Sequence, residues 1–363
     1  YFNFGHCPAA DDGTDPAQMT IAVLRDVLRR VPSEATACHL SGGVDSSLLT
    51  ALAAEVFGPP LPAFVAAFSG YPEYNEAPYA RAAADSVGAT LVEVGVYPED
   101  FSKFFSEVIR VIEEPKCHPP VFPRFVLEAE AAHRGVRTMI SGRGADELFT
   151  GYDWHRPDQL ADHRRRRTVF SPEERSRLLR VESLDALRYS PEEAYDVVFA
   201  RCNGPTLLDR VLAMDWHTLM ANWLILDFKI SSYFNIQPYA PFVDRTMIDL
   251  ALSIPAEKKA AGGEPKALLK RAASPYLPSG IIERKKVGFR TPMGEMLRAG
   301  LEEYVRDALT PDRSGFWDWF DPVAVDTEIR EHFSCRRNRG WQLWAILSVR
   351  EWFRRFIDHG GEP

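Results

Sequence analysis

The stretch His39-Leu40-Ser41-Gly42-Gly43-Val44-Asp45-Ser46-Ser47 sets a glycine turn between an apolar run and a helix-forming run, and its reading decides the fold. Upstream, Ala35 to Leu40 are small and apolar enough to form a buried strand. Downstream, Ser47-Leu48-Leu49-Thr50-Ala51-Leu52-Ala53-Ala54 reads as helix. Two glycines let the backbone close on an anion, and serine hydroxyls with the free N–H groups of the helix start then point at it. Asp45 puts a carboxylate in the same loop, which suits a magnesium ion travelling with phosphates. A Walker-type phosphate loop is excluded, because the spacing differs and no Lys precedes the serine. The alternative is a strand-to-helix turn that binds nothing; an Asp and paired serines inside the turn argue against it.

Outward from this loop the chain alternates. Residues 1–16 are polar, with Pro and Gly, and read as an arm. Met19 to Val31 has amphipathic helical spacing and stops before Pro32. Strands are expected at 35–40, 62–68, 90–94 and 136–141, separated by helices at 46–57, 76–87, 100–112 and about 123–134. This order predicts an α/β fold with a doubly wound, mostly parallel sheet whose ligands gather at the carboxyl ends of its strands. Ser141-Gly142-Arg143-Gly144-Ala145-Asp146-Glu147 follows the fourth strand, so Asp146 is expected to join Asp45 on one magnesium ion. Beyond Gly151, helical periodicity dominates 172–227, 244–254, 264–275, 292–308 and 322–357, with no clear strand. The expected division is an arm (1–16), an α/β nucleotide-binding core (17–152) and a helical region packed on it (153–363).

The chain has 363 residues, 45% of them hydrophobic, which suffices for a large core and about two domains. Its net charge of −8 argues against a nucleic-acid partner. The run Arg164-Arg165-Arg166-Arg167 is the one strong basic block and reads as a solvated face or connection. Cys7, Cys38, Cys117, Cys202 and Cys335 are scattered and never spaced Cys-x-x-Cys, which fits a reducing compartment and neither a disulfide framework nor a zinc site. No run is long enough to cross a bilayer and no signal peptide opens the chain, so a soluble, cytoplasmic protein is expected. The first residue is Tyr1 rather than Met, so a preceding piece is expected to have been either removed or left out.

The loop resembles the Ser-Gly-Gly-x-Asp-Ser pyrophosphate loop of the ATP pyrophosphatase (PP-loop) superfamily. Further segments extend that resemblance over nearly the whole chain: Tyr74 to Arg81, Ser141 to Tyr152, Pro241-Phe242-Val243-Asp244, Lys266-Ala267-Leu268-Leu269-Lys270, Arg284-Lys285-Lys286-Val287-Gly288-Phe289 and Trp341 to Leu347. Together they are similar to the synthetase half of glutamine-dependent asparagine synthetase and its relatives, β-lactam synthetase, carbapenam synthetase and lasso-peptide cyclase.

The resemblance implies an ATP-dependent enzyme that adenylates a carboxylic acid and lets ammonia or an amine displace AMP. It implies that Ser41, Gly42, Gly43, Asp45, Ser46 and Ser47 hold the phosphates that leave as pyrophosphate, with Lys266 nearby. Asp45 and Asp146 would coordinate magnesium. Leu40, Ala66, Ser141 and Gly142 would line the AMP pocket, and Lys286 falls at the family's catalytic lysine. Charge builds on phosphoryl oxygens in such a transition state, and losing a fixed lysine there typically costs on the order of 3 kcal/mol. Lys285 reads as a surface residue, and Lys270 and Arg271 as a solvated helix face or phosphate contacts.

Three departures bear on the substrate. With Tyr1 as the first residue and Cys7 in an arm, the chain is expected to lack the family's amino-terminal Cys and glutaminase domain. Nitrogen would come from ammonia, an amine substrate, or a separate nitrogen-supplying or substrate-delivering protein. Arg143 stands where asparagine synthetase carries Glu and β-lactam synthetase Tyr. A guanidinium cannot act as a base there, so it would hold a substrate carboxylate or pair with a nearby acid. Gln237-Pro238-Tyr239 and Phe228-Lys229 replace charged family residues, which argues against aspartate as the acid and for a role in specialised biosynthesis. Intramolecular cyclisation to a lactam or macrolactam is the alternative within the family. A tRNA-modifying enzyme and a non-catalytic nucleotide-binding module are the alternatives outside it. The expected acid is a small molecule or a peptide, with neither nucleic acid nor membrane as partner.

Overall fold

The computed structural model describes residues 13–116, 118–163, 168–180, 190–284, 288 and 290–358. Cys7, Cys117, the Arg164–Arg167 run, Lys285 and Lys286 lie outside the described residues.

Five strands form one all-parallel sheet: β1 (Thr36–His39), β2 (Pro62–Ala67), β3 (Thr90–Gly95), β4 (Thr138–Ile140) and β5 (Gln237–Tyr239), in the order β3-β2-β1-β4-β5. The helices between them are α1 (Pro16–Arg29), α2 (Val44–Phe57), α3 (Ala77–Val87), α4 (Pro98–Ile112), α5 (Val121–His133) and α6 (Ala145–Leu148). The chain steps outward from β1 to β3 and then returns to lay β4 on the other side of β1. A crevice opens at the carboxyl ends of β1 and β4, the switch point at which doubly wound sheets bind ligands.

The sheet is buried on both faces. Along β2, Ala63, Val65 and Ala67 point into one core while Phe64 and Ala66 point into the other, as the two-residue period of a strand dictates. The first core takes Leu24 and Leu28 of α1, Leu48 and Leu52 of α2, and Ala80 and Ala84 of α3. The second is aromatic. Phe101 stacks on Phe105 with centroids 4.7 Å apart, and Trp344 of the helix Gly340–Phe353 meets Phe105 edge-on at 5.3 Å.

Helix α1 starts earlier than its apolar period predicts, because Asp15 accepts the N–H of Ala17 and Pro16 occupies the first turn. One expectation is corrected outright: a strand does lie beyond Gly151. In β5, Gln237, Pro238 and Tyr239 pair with Thr138, Met139 and Ile140 of β4. Three residues without an apolar alternation give no period to read, and Pro238 is tolerated because β5 is the sheet's edge. The helical tracts also divide. The 292–308 tract breaks at Gly300, whose φ is +111°, and the 322–357 tract breaks between Phe333 and Gly340.

In that second break, His332 is buried, accepting the N–H of Arg339 at 3.1 Å on Nδ1 and facing the Gly294 carbonyl at 3.1 Å with Nε2. Burial, with Arg298 nearby, lowers its pKa to about 4. The unfolded chain takes up this proton near pH 6.5 and the folded chain only near 4, so stability falls as pH drops through that window. The contribution is up to about 3 kcal/mol. Urea midpoints measured between pH 7 and 4 are expected to fall more steeply for the wild type than for His332→Gln.

Candidate active site

The phosphate-type loop leaves β1 at Leu40, whose N–H bonds the Phe64 carbonyl at 2.9 Å and so stays in the sheet. Ser41 to Gly43 make the turn and α2 begins at Val44. Gly42 has φ +72°, and a Cβ there would lie 2.5 Å from the Tyr79 carbonyl carbon at the start of α3. Glycine is therefore required both by conformation and by contact. Ser46 braces the turn: its Oγ accepts the Ser41 N–H at 3.1 Å and donates to the Gly43 carbonyl at 3.2 Å. The first N–H groups of α2 have no partner within the helix. Ser47 Oγ is buried and has no hydrogen-bond partner among the described residues. A buried hydroxyl at a helix start suits a phosphate oxygen.

The same geometry predicts that Gly42→Ala, by forcing the loop off α3, destabilises the fold by roughly 2 kcal/mol or more. It is also expected to remove nucleotide binding; thermal unfolding and equilibrium dialysis with ATP check both outcomes.

The β4 loop closes the other wall of the crevice. The Ser141 N–H bonds the Tyr239 carbonyl at 2.9 Å, which ties the loop to β5. Gly142 lies against α2, with space for a Cβ only 3.3 Å from Asp45 Cβ and Ser46 N. Leu40, Ala66 and Ser141 are all buried around this strand-end edge. Asp146, in the first turn of α6, thus converges with Asp45. Between them sits the ammonium of Lys266, bonded to Asp45 and 2.5 Å from Asp146 Oδ1. Lys266 is 4% exposed. Burial alone would lower its pKa, but the carboxylates of Asp146 and Asp45 outweigh burial and raise it. Gly151 packs on this cluster, where any Cβ would overlap Asp146 and Lys266. Two hard-oxygen carboxylates closing on one cation are the donor chemistry magnesium takes, so the residues present fit that ion. The surrounding cleft holds about 330 Å³ and includes Ser41, Gly43, Asp45, Asp146, Lys266 and Arg284.

On the far side of Gly142, Arg143 turns toward a second group of charges. Its Nε and Nη2 donate to Asp227 at 2.9 and 3.3 Å, and the guanidinium stacks 4.7 Å over Trp223. Of the two alternatives for Arg143, pairing with a nearby acid is the arrangement seen. Arg124 continues the network, donating to His39 Nδ1 at 2.7 Å and lying 2.9 Å from Glu128. Burial would raise Asp227, but Arg124 and Arg143 hold its carboxyl below the ordinary value. Against Trp223 stands His118, edge-on to it at 4.8 Å and to Trp341 at 5.1 Å. Burial, then the cations Lys116 and Arg143, pushes His118 down to about 3, so its imidazole is neutral. Glu147 is buried beneath the β4 loop and accepts the Tyr152 hydroxyl at 2.6 Å. Burial and the adjoining Asp146 push Glu147 up to about 7.

Sequence reading had not assigned roles to Asp227, His118, Trp223 or Arg284. Only Arg284 lay in a segment already singled out, two residues before Lys286.

A family model described as asparagine synthase matches residues 22–354. Among curated proteins, the chain is 25% identical over 351 residues to asparagine synthetase (glutamine-hydrolyzing) 1 of Bacillus subtilis (strain 168), covering 86% of this chain and 55% of that protein. It is 27% identical over 383 residues to a putative asparagine synthetase (glutamine-hydrolyzing) of Mycobacterium tuberculosis (strain ATCC 25618 / H37Rv), covering 94% and 58%. With asparagine synthetase (glutamine-hydrolyzing) 1 of Lotus japonicus it shares 25% over 317 residues, covering 82% and 46%. The chain therefore spans about half the length of these relatives.

Proposed function

The chain belongs to the asparagine synthase family, and from that premise we propose that it is an ATP-dependent, AMP-forming amide ligase. One observation carries the reading. A glycine loop at a helix start, a buried serine hydroxyl with no partner among the described residues and two carboxylates around a cation all meet at one strand-end crevice.

In the proposed reaction a substrate carboxylate oxygen attacks the α-phosphorus of ATP and pyrophosphate leaves. An amine or ammonia nitrogen then attacks the acyl carbon, AMP leaves and the nitrogen loses a proton. Ser41, Gly42, Gly43, Ser46 and Ser47 shape and line the pocket for the departing phosphates, with Lys266 beside them. Leu40, Ala66, Ser141 and Gly142 line the AMP side. Asp45 and Asp146 would hold magnesium, which neutralises polyphosphate charge when bound. Lys286 is the lysine proposed to stabilise charge developing on the phosphoryl oxygens.

Arg143, fixed by Asp227 and Trp223, is proposed to shape the acceptor side of the crevice, where it can orient groups but cannot take a proton. With Gln237 to Tyr239 lining the adjacent edge strand, this side supports a specialised acid rather than aspartate. The acid is proposed to be a small molecule or a peptide, with nitrogen supplied free or by a separate protein. The net charge of −8 speaks against a nucleic-acid substrate. Among the described residues no helix is long and apolar enough to cross a membrane.

The test is ATP–pyrophosphate exchange across a panel of carboxylic acids, followed by amide formation with and without ammonium or amines. Acid-dependent exchange that Lys286→Ala abolishes supports adenylation. ATP cleavage to ADP and phosphate would contradict it.

A further inference from the structure

Among the described residues that line the cleft, acidic side chains outnumber basic ones six to four, so each of these cations that faces the phosphate loop matters to an anionic ligand. Lys266 is committed to Asp45 and Asp146, and Lys270 to Glu264 at 2.5 Å. Arg284 stands differently. Its side chain is 10% exposed, and it is anchored at three points. Nη1 donates to the Ser41 carbonyl at 3.3 Å, Nη2 donates to Glu76 at 2.9 Å, and the guanidinium lies 3.8 Å over the Tyr79 ring.

These anchors belong to the nucleotide loop itself and to the start of α3, the segment against which Gly42 is packed. The guanidinium plane is therefore fixed relative to the turn that cradles the anion. A guanidinium has five N–H donors, and these two bonds use two of them. Three donors on a planar, permanently charged group remain at the edge of the cleft, a geometry that matches phosphate oxygens.

Resting on the nucleotide reading above, we propose that Arg284 is a polyphosphate ligand of this site, making it select ATP and pyrophosphate over a nucleoside monophosphate. Ser41 and Glu76 hold the fork in place, the Tyr79 ring backs it, and the remaining N–H groups bind the outer phosphates. AMP, with no outer phosphates, gains nothing from this residue.

The experiment titrates wild type, Arg284→Gln and Arg284→Lys with Mg-ATP, magnesium pyrophosphate and AMP, by calorimetry, with thermal unfolding of each. Arg284→Gln is expected to weaken ATP and pyrophosphate about tenfold or more and to leave AMP within about twofold. Arg284→Lys, which keeps the charge and loses the fork, should recover only part of the loss. Unchanged ATP affinity in Arg284→Gln overturns the proposal. So does an equal loss for ATP and AMP, which marks a merely structural residue. Wild type that binds AMP but neither ATP nor pyrophosphate overturns the nucleotide reading and the proposal together.

Discussion

Lys266→Ala is expected to destabilise the fold by roughly 2–3 kcal/mol and to make the remaining stability depend on magnesium. The ammonium is nearly inaccessible and is held charged through the neutral range by Asp146 and Asp45. Its raised pKa means that its contribution is full below the ordinary lysine value and is lost only as pH climbs through the folded value. Without it, two carboxylates converge in a poorly solvated crevice and lose the buried ammonium that lies between them. Breaking a fully buried pair costs about 3–5 kcal/mol. Here the Asp45 and Asp146 side chains keep 17% and 20% exposure, and water screens part of the repulsion. A divalent cation supplies the missing charge. Urea unfolding is expected to show a lowered midpoint in Lys266→Ala that millimolar magnesium largely restores, while wild type responds weakly. A variant indifferent to magnesium would mean that the carboxylates do not form a cation site.

Asp45→Asn is expected to lower ATP–pyrophosphate exchange by about a hundredfold to a thousandfold, and Asp146→Asn by a similar factor. Each substitution leaves one carboxylate where two are needed, while the shape of the loop is kept. The double variant should lose little more than either single one, because the two oxygens act on the same ion. Exchange measured at saturating acid and ATP checks the size, and the double-mutant cycle checks the coupling. Additive losses would place the two carboxylates in separate roles.

What was legible in the sequence was local. The apolar run before Gly42, the glycines and the Ala- and Leu-rich run after Asp45 each carry their signal within a few neighbours, and β1, the turn and α2 follow from them. The approach of Asp45 to Asp146 was legible because each lies in the first turn of a helix that follows a strand of the same sheet. The partners of these residues were not. Lys266 lies 221 positions from Asp45, Arg143 84 from Asp227 and Arg284 243 from Ser41, so no periodicity links them. Lys266 also adopts φ +59°, a left-handed conformation that a lysine does not announce. Strand β5 escaped for a related reason: β4 specifies it by pairing, whereas its own three residues, one of them proline, specify no strand.

The most direct test of a magnesium-polyphosphate site at the β1–β4 crevice is equilibrium dialysis of labelled ATP with magnesium, comparing wild type with the Asp45→Asn/Asp146→Asn double variant. Saturable binding of one ATP per chain in wild type, lost in a double variant that remains folded, is the expected result. No binding to wild type, or undiminished binding in the double variant, would contradict it.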